Sequence, residues 1–259
     1  MATPARIVAA GRGARWLGEG WRLFRAAPLS WVALVFVYWL LMTVVSLLPY
    51  LGIAAASVLV PPFAVGFMAA SRAAASGSPL GLDILFSGFR ENLRGQLALG
   101  LAYLACLALL IGATTLVDGG ALAHWMLVGE GPRGADAESG SVLGAMLVAV
   151  ALYAPVMMMF WFAPVLVAWH GIGAVKALFF SFLACLINWR AFLAYGAAAI
   201  LLTVVAPTLA LSALLLMSGG RLAVPVTSFL FPLLLVMLPT LLASFYVSYR
   251  DVFGTPESD

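Results

Sequence analysis

Six long apolar runs separated by short polar breaks set the pattern along this chain, and each is long enough for a membrane-crossing helix. The first, Ser30 to Leu48, would extend about 28 Å at 1.5 Å per residue, enough to span the hydrocarbon. The others are Ile53 to Ala70, Leu97 to Val117, Val142 to Trp169, Phe192 to Met217 and Pro225 to Tyr246. Turns rich in glycine and proline divide them, as at Pro49 to Gly52 and Ser218 to Arg221. The expected fold is therefore all-α, a polytopic transmembrane helix bundle.

Three of the runs carry internal prolines. Pro61 and Pro62 lie in the second, Pro155 and Pro164 in the fourth, and Pro232 and Pro239 in the sixth, each expected to kink its helix. Proline frees backbone carbonyls, which in lipid must pack against another helix or line a cavity. Pro225 suits a first helical turn, where its missing N–H costs nothing.

Shorter segments have a different periodicity. Leu17, Trp21 and Phe24 share a helical face from which Arg15, Arg22 and Arg25 point away, so residues 1–27 read as an amphipathic segment in the headgroup region. Leu82, Leu85, Phe86 and Phe89 form one stripe of a second amphipathic helix, opposite Asp83, Ser87, Arg90, Glu91 and Arg94. Ala174 to Ile187 is too short to span and reads as a re-entrant or interfacial helix. The longest polar stretch, Asp118 to Ser141, reads as a loop with a short helix at Ala121 to Leu127. Residues 28–250 thus form the transmembrane domain and 251–259 a tail.

Composition agrees. Of 259 residues, 64% are hydrophobic and 9% charged, and the mean hydropathy is +1.11, far from the soluble balance. A net charge of +3 without a basic folded surface argues against a nucleic-acid partner. The first apolar run is too long, and starts too late, for a cleaved signal peptide. Cys106 and Cys185 lie in apolar segments with no ligand-like neighbours, so no disulfide, metal or cofactor is expected.

Charge placement orients the bundle. With six crossings, eleven of the thirteen Lys and Arg fall on the side of the termini, and only Arg133 and Arg221 fall opposite. The positive-inside rule then puts both termini in the cytoplasm. A shift of 96 residues pairs Leu82 with Leu178, Asn92 with Asn188, Arg94 with Arg190 and Gly100 with Gly196, which suggests a parallel internal repeat of crossing, surface helix, crossing.

Candidate chemistry is sparse. No ionisable residue lies near the middle of a crossing, where proton and ion pathways would place one. His170, between Trp169 and Gly171, is either a pH-sensitive or ligand-contacting group or an interface anchor. Arg94 and Arg190 either hold lipid phosphates or are ordinary cytoplasmic anchors. Arg250 and Asp251 could pair locally, and Trp161 and Trp169 could anchor the fourth crossing. Gly66 and Ala70 would let helices approach closely, within the chain or between chains. No hydrolase or nucleotide-binding motif is present, so no enzyme is expected.

The segments GEGWRLFRAAPLSWVALVFVYWLL (Gly18 to Leu41), FWFAPVLVAWHG (Phe160 to Gly171), VKALFFSFLACLINWRAF (Val175 to Phe192) and SFYVSYRDVFG (Ser244 to Gly254) carry a resemblance. Together they resemble an uncharacterised family of bacterial six-helix integral membrane proteins, over nearly the whole chain except the Asp118 to Ser141 loop. The resemblance implies an inner-membrane location and no catalytic residues. A looser similarity to membrane regions attached to glycerophosphodiester phosphodiesterases implies no such activity, because these residues contain no phosphodiesterase domain.

The expected function is a non-enzymatic envelope component or accessory subunit whose collar of Arg94, His170, Arg190 and Arg250 contacts anionic membrane lipids. Another membrane protein or a second copy of the chain is the expected further partner. The alternative is a small-molecule or lipid permease with a path between its proline-bearing crossings.

Overall fold

A computed structural model describes residues 5–49, 51–128, 141–218 and 226–254, with the side chains of the last stretch from 233 onward. Arg133, the Gly219 to Arg221 turn, Pro225 and the end of the tail lie outside the described residues, as does the side chain of Pro232. All regular structure among the described residues is helical. In order, the helices are α1 (Ala10–Ala26), α2 (Pro28–Ser46), α3 (Gly52–Ala75), a single short turn α4 (Ser87–Arg90), α5 (Leu93–Asp118) and α6 (Ala121–Val128). Then follow α7 (Ser141–His170), α8 (Ala174–Ile187), α9 (Trp189–Met217) and α10 (Val226–Phe253). Six stretches are long and apolar enough to cross a membrane: α2, α3, α5, α7, α9 and Leu233–Phe253 of α10.

The chain is thus an all-α bundle of membrane helices, and small residues explain how closely the helices lie. Pro61 and Pro62 sit inside α3 without ending it. The ladder partners they forfeit are the carbonyls of Ser57 and Val58, four residues back. Gly100 of α5 lies directly against the Val58 carbonyl, where any Cβ would collide with it, and Gly88 lies likewise on that of Pro62. The double proline is therefore covered mainly by backbone from other elements. Gly66 packs on the Leu85 carbonyl and Ala70 is fully buried, so these small positions serve contacts within the chain.

In α7 the helical ladder is opened by a side chain. Ser181 of α8 is fully buried; its Oγ accepts from the Phe162 N–H at 2.9 Å and donates to the Met158 carbonyl at 2.7 Å. The hydroxyl bridges the two groups that would otherwise bond each other, two residues before Pro164. A partner of this kind makes a proline-bearing helix tolerable in lipid.

Four expectations change. The stretch from Leu82 to Arg94 is not one amphipathic helix: a tight turn (Leu82–Phe86), α4 and a left-handed Asn92 (φ 53°) break it up. Only Leu85 of its apolar stripe is fully buried, because Gly66 and Gly88 draw this segment against α3. α10 runs seven residues past Tyr246, since Tyr249, Val252 and Phe253 pack into the core with α7 and α8. Trp161 is not an interface anchor: its indole sits among Phe192, Tyr195 and Phe245, and its Nε1 donates to Ser248 Oγ at 3.2 Å.

The fourth concerns α1, which does not merely lie on the headgroups. Gly13 seats it on Ala191 and Tyr195 of α9, and Gly20, seven residues on, seats it on Thr240 and Ser244 of α10. Trp16 is fully buried against Phe192 and Tyr195, whereas Trp21 is 37% exposed. Ahead of α1 the chain is pinned by Asn188, whose Oδ1 accepts from the Val8 N–H and whose Nδ2 donates to the Arg6 carbonyl. Asn92, its partner under the 96-residue shift, caps Gly95 and donates to the Val167 carbonyl. Both asparagines fasten the start of a crossing to a distant backbone. Gly100 and Gly196 differ, since nothing lies within 4 Å of a Cβ added at Gly196.

Candidate functional site

The contacts bring one end of the bundle together: the C-terminal ends of α3, α7 and α10, the starts of α5 and α9, and α1. At its centre are aromatic rings. Trp169, at the end of α7, packs edge-on against Tyr246 and Tyr249 of α10, and the Arg72 guanidinium of α3 lies 4.4 Å from the centre of its ring. His170 Nε2 and the Tyr249 hydroxyl are 2.7 Å apart, so the last residue of α7 is hydrogen-bonded to α10. Gln96 of α5 is fully buried and donates to the Pro164 carbonyl, adding a third helix to this junction.

Beside it stands a four-charge cluster between α1 and α10. Arg12 donates to Asp251 Oδ2 at 2.6–2.7 Å and reaches Glu19 at 3.0 Å, and Arg250 reaches the other Glu19 oxygen at 2.6 Å. Trp16 Nε1 also donates to Asp251 Oδ2, at 2.8 Å. Two carboxylates and two guanidiniums alternate, so each charge has an opposite neighbour. Partial burial alone would lower the Arg12 pKa, but the hydrogen bond and charge of Asp251, with Glu19, outweigh it and raise the pKa above its ordinary value. Exposed pairs of this kind contribute little, whereas a hydrogen bond to an ionised group is worth about 1.5–3 kcal/mol.

Of the four collar residues, Arg250 is tied to Glu19 and His170 to Tyr249. Arg94 is exposed on the first turn of α5 with no ion pair among the described residues. Arg190 is likewise exposed and lies 5.4 Å from the ring of its neighbour Trp189. The structure therefore joins His170 and Arg250 through consecutive residues of α10, while Arg94 and Arg190 stand apart. Arg250 and Asp251 do not pair with each other, because successive helical residues face about 100° apart.

Sequence reasoning missed Arg12, Glu19, Tyr249 and Arg72, and gave Asp251 the wrong partner. A signal existed for two of these: Arg12 and Glu19 are seven apart on α1 and share a face with Trp16. A further seam was also legible in Thr240, Ser244 and Ser248, polar residues at four-residue spacing in an apolar helix. All three are buried, and Ser244 hydrogen-bonds the Tyr195 hydroxyl at 2.8 Å.

Away from this end, a cavity of about 160 Å³ lies between α2, α3, α7 and α10. Phe63, Phe67, Met68, Trp161, Val165 and Phe245 are among its walls, and Tyr38 brings the one hydroxyl to them. The walls of this cavity, which touches α3, α7 and α10, are thus largely apolar.

Over 256 residues, covering 96% of the chain and 94% of the relative, the sequence is 41% identical to a Burkholderia thailandensis protein described as a probable inner membrane protein. No family model and no solved structure matches the chain.

Proposed function

The chain belongs to the family of that probable inner membrane protein, and on this premise we propose that it is a non-enzymatic envelope component or accessory subunit resting on anionic lipid. The basic end of the bundle is the face that meets the lipid, and the positive-inside rule makes that face cytoplasmic. One observation carries the reading. Glu19 and Asp251 are consumed by Arg12 and Arg250, while Arg15, Arg22, Arg25, Arg90, Arg94 and Lys176 have no ion pair among the described residues. Each such cation near an anionic surface contributes about 1 kcal/mol of attraction. Arg94 and Arg190 project as lipid contacts, and His170 and Arg250 hold the helices from which the surface is built.

The apolar cavity supports this reading over a permease for polar solutes, which would need hydrogen-bonding groups along its path. The test is lipid analysis of protein gently extracted from its own membrane. R94Q/R190Q is expected to carry about half the anionic lipid of the wild type, and unchanged lipid would sink the proposal. Reporters fused at either terminus are expected to report the cytoplasm.

A further inference from the structure

α1, α9 and α10 enclose an open groove of about 300 Å³, lined by Leu17, Gly18 and Trp21, by Leu202 and Thr203, and by Leu241 with its neighbours on α10. Its position follows from a proline. Pro207 lacks the N–H that would bond the Thr203 carbonyl, and its ring would crowd that oxygen. The helix answers with a π-turn over Leu201–Val205, a widened geometry often found where helices build sites. The missing side chain of Gly18 leaves the opposite wall open: an added Cβ there meets nothing within 4 Å. Hydroxyls at the groove are already spent, with Thr203 Oγ1 donating to the Ala199 carbonyl and Thr240 Oγ1 to that of Val236. With those two hydroxyl protons engaged, the walls offer chiefly hydrocarbon contact.

Helical spacing sets two cations beside the groove residues of α1. Arg22 follows Gly18 by four residues and Arg25 follows Trp21 by four, so each stands one turn along from a groove residue, flanking the apolar face of Leu17 and Trp21 and not lying on it. Both are exposed and without an ion pair among the described residues. Trp21, partly exposed beside them, has the apolar body and polar edge that suit a membrane interface.

We infer that this groove binds one anionic glycerophospholipid, with an acyl chain against Leu17, Trp21, Leu202 and Leu241 and the phosphate between Arg22 and Arg25. The inference rests on the reading that the basic end faces anionic lipid, and it adds a single site to that general surface. Guanidinium forks match phosphate oxygens in pairs, which is the basis for preferring an anionic over a zwitterionic headgroup.

The test uses the full chain in detergent with equal synthetic phosphatidylglycerol and phosphatidylcholine, read by native mass spectrometry. The wild type is expected to retain one phosphatidylglycerol per chain in preference to phosphatidylcholine. Gly18→Phe fills the groove and is expected to lose that lipid, with the melting temperature as a check on folding. R22Q/R25Q leaves the groove intact and is expected to bind both lipids equally. Equal retention of the two lipids by the wild type, or an unchanged single phosphatidylglycerol in folded Gly18→Phe, would overturn the site. If R94Q/R190Q lowers anionic lipid while Gly18→Phe and R22Q/R25Q do not, the groove assignment fails and the broader reading stands. Loss confined to the groove variants upholds the site and removes Arg94 and Arg190 from the lipid surface.

Discussion

Asp251 concentrates three interactions on one atom: two bonds from the Arg12 guanidinium and one from the buried Trp16 indole meet at a single carboxylate oxygen. Removing it strands a buried N–H and leaves Arg12 with Glu19 alone. Asp251→Ala is expected to cost about 2–3 kcal/mol, read as a lower melting temperature in detergent. Asp251→Asn keeps an oxygen for Trp16 and should lose less. Identical melting curves for wild type and D251A would mean that the cluster holds nothing. The sequence makes the SYRD segment conspicuous but hides its partners, because the residues that complete it lie more than 230 positions away. His170 stands out in the sequence at the end of a crossing, and its bond to Tyr249 does not, since hydropathy says where a segment ends and nothing about what its last residues meet.

At the scale of helices, apolar length is a strong signal and helix contact a weak one. Every crossing was readable because lipid forces the backbone to satisfy itself within a segment. The break at Asn92 was not, because an amphipathic stripe is equally compatible with a continuous helix and with a turn held down by glycine contacts. The repeat illustrates the limit. Gly100 and Gly196 match in sequence, yet one lies on the Val58 carbonyl and the other faces open space. Gly100→Ala is expected to force α3 and α5 apart at about 1–3 kcal/mol. Gly196→Ala should be neutral or stabilising by up to about 1 kcal/mol through helix propensity. Thermal melts of the two variants distinguish them, and equal losses would restore a shared role for the two glycines.

For the molecule as a whole, α1 acts as a wedge between two crossings: it touches α9 through Gly13 and Trp16, and α10 through Gly20 and the charge cluster. The helix itself was visible in the pattern of Leu17, Trp21 and Phe24, but its depth was not, because Gly13 and Gly20 look like helix-weakening residues until their neighbours are known. Limited proteolysis of Arg12→Gln is expected to cut within residues 10–26 several-fold faster than in the wild type, and an unchanged rate would show that the glycine contacts alone hold the wedge. The position of α1 also has a consequence in time. Arg12 leaves the ribosome 239 residues before Asp251, which at about 5–20 residues per second is a gap of roughly 12 to 48 s. For that interval α1 has no completed seat, so a helix made long before its partners is among the last to reach its native place.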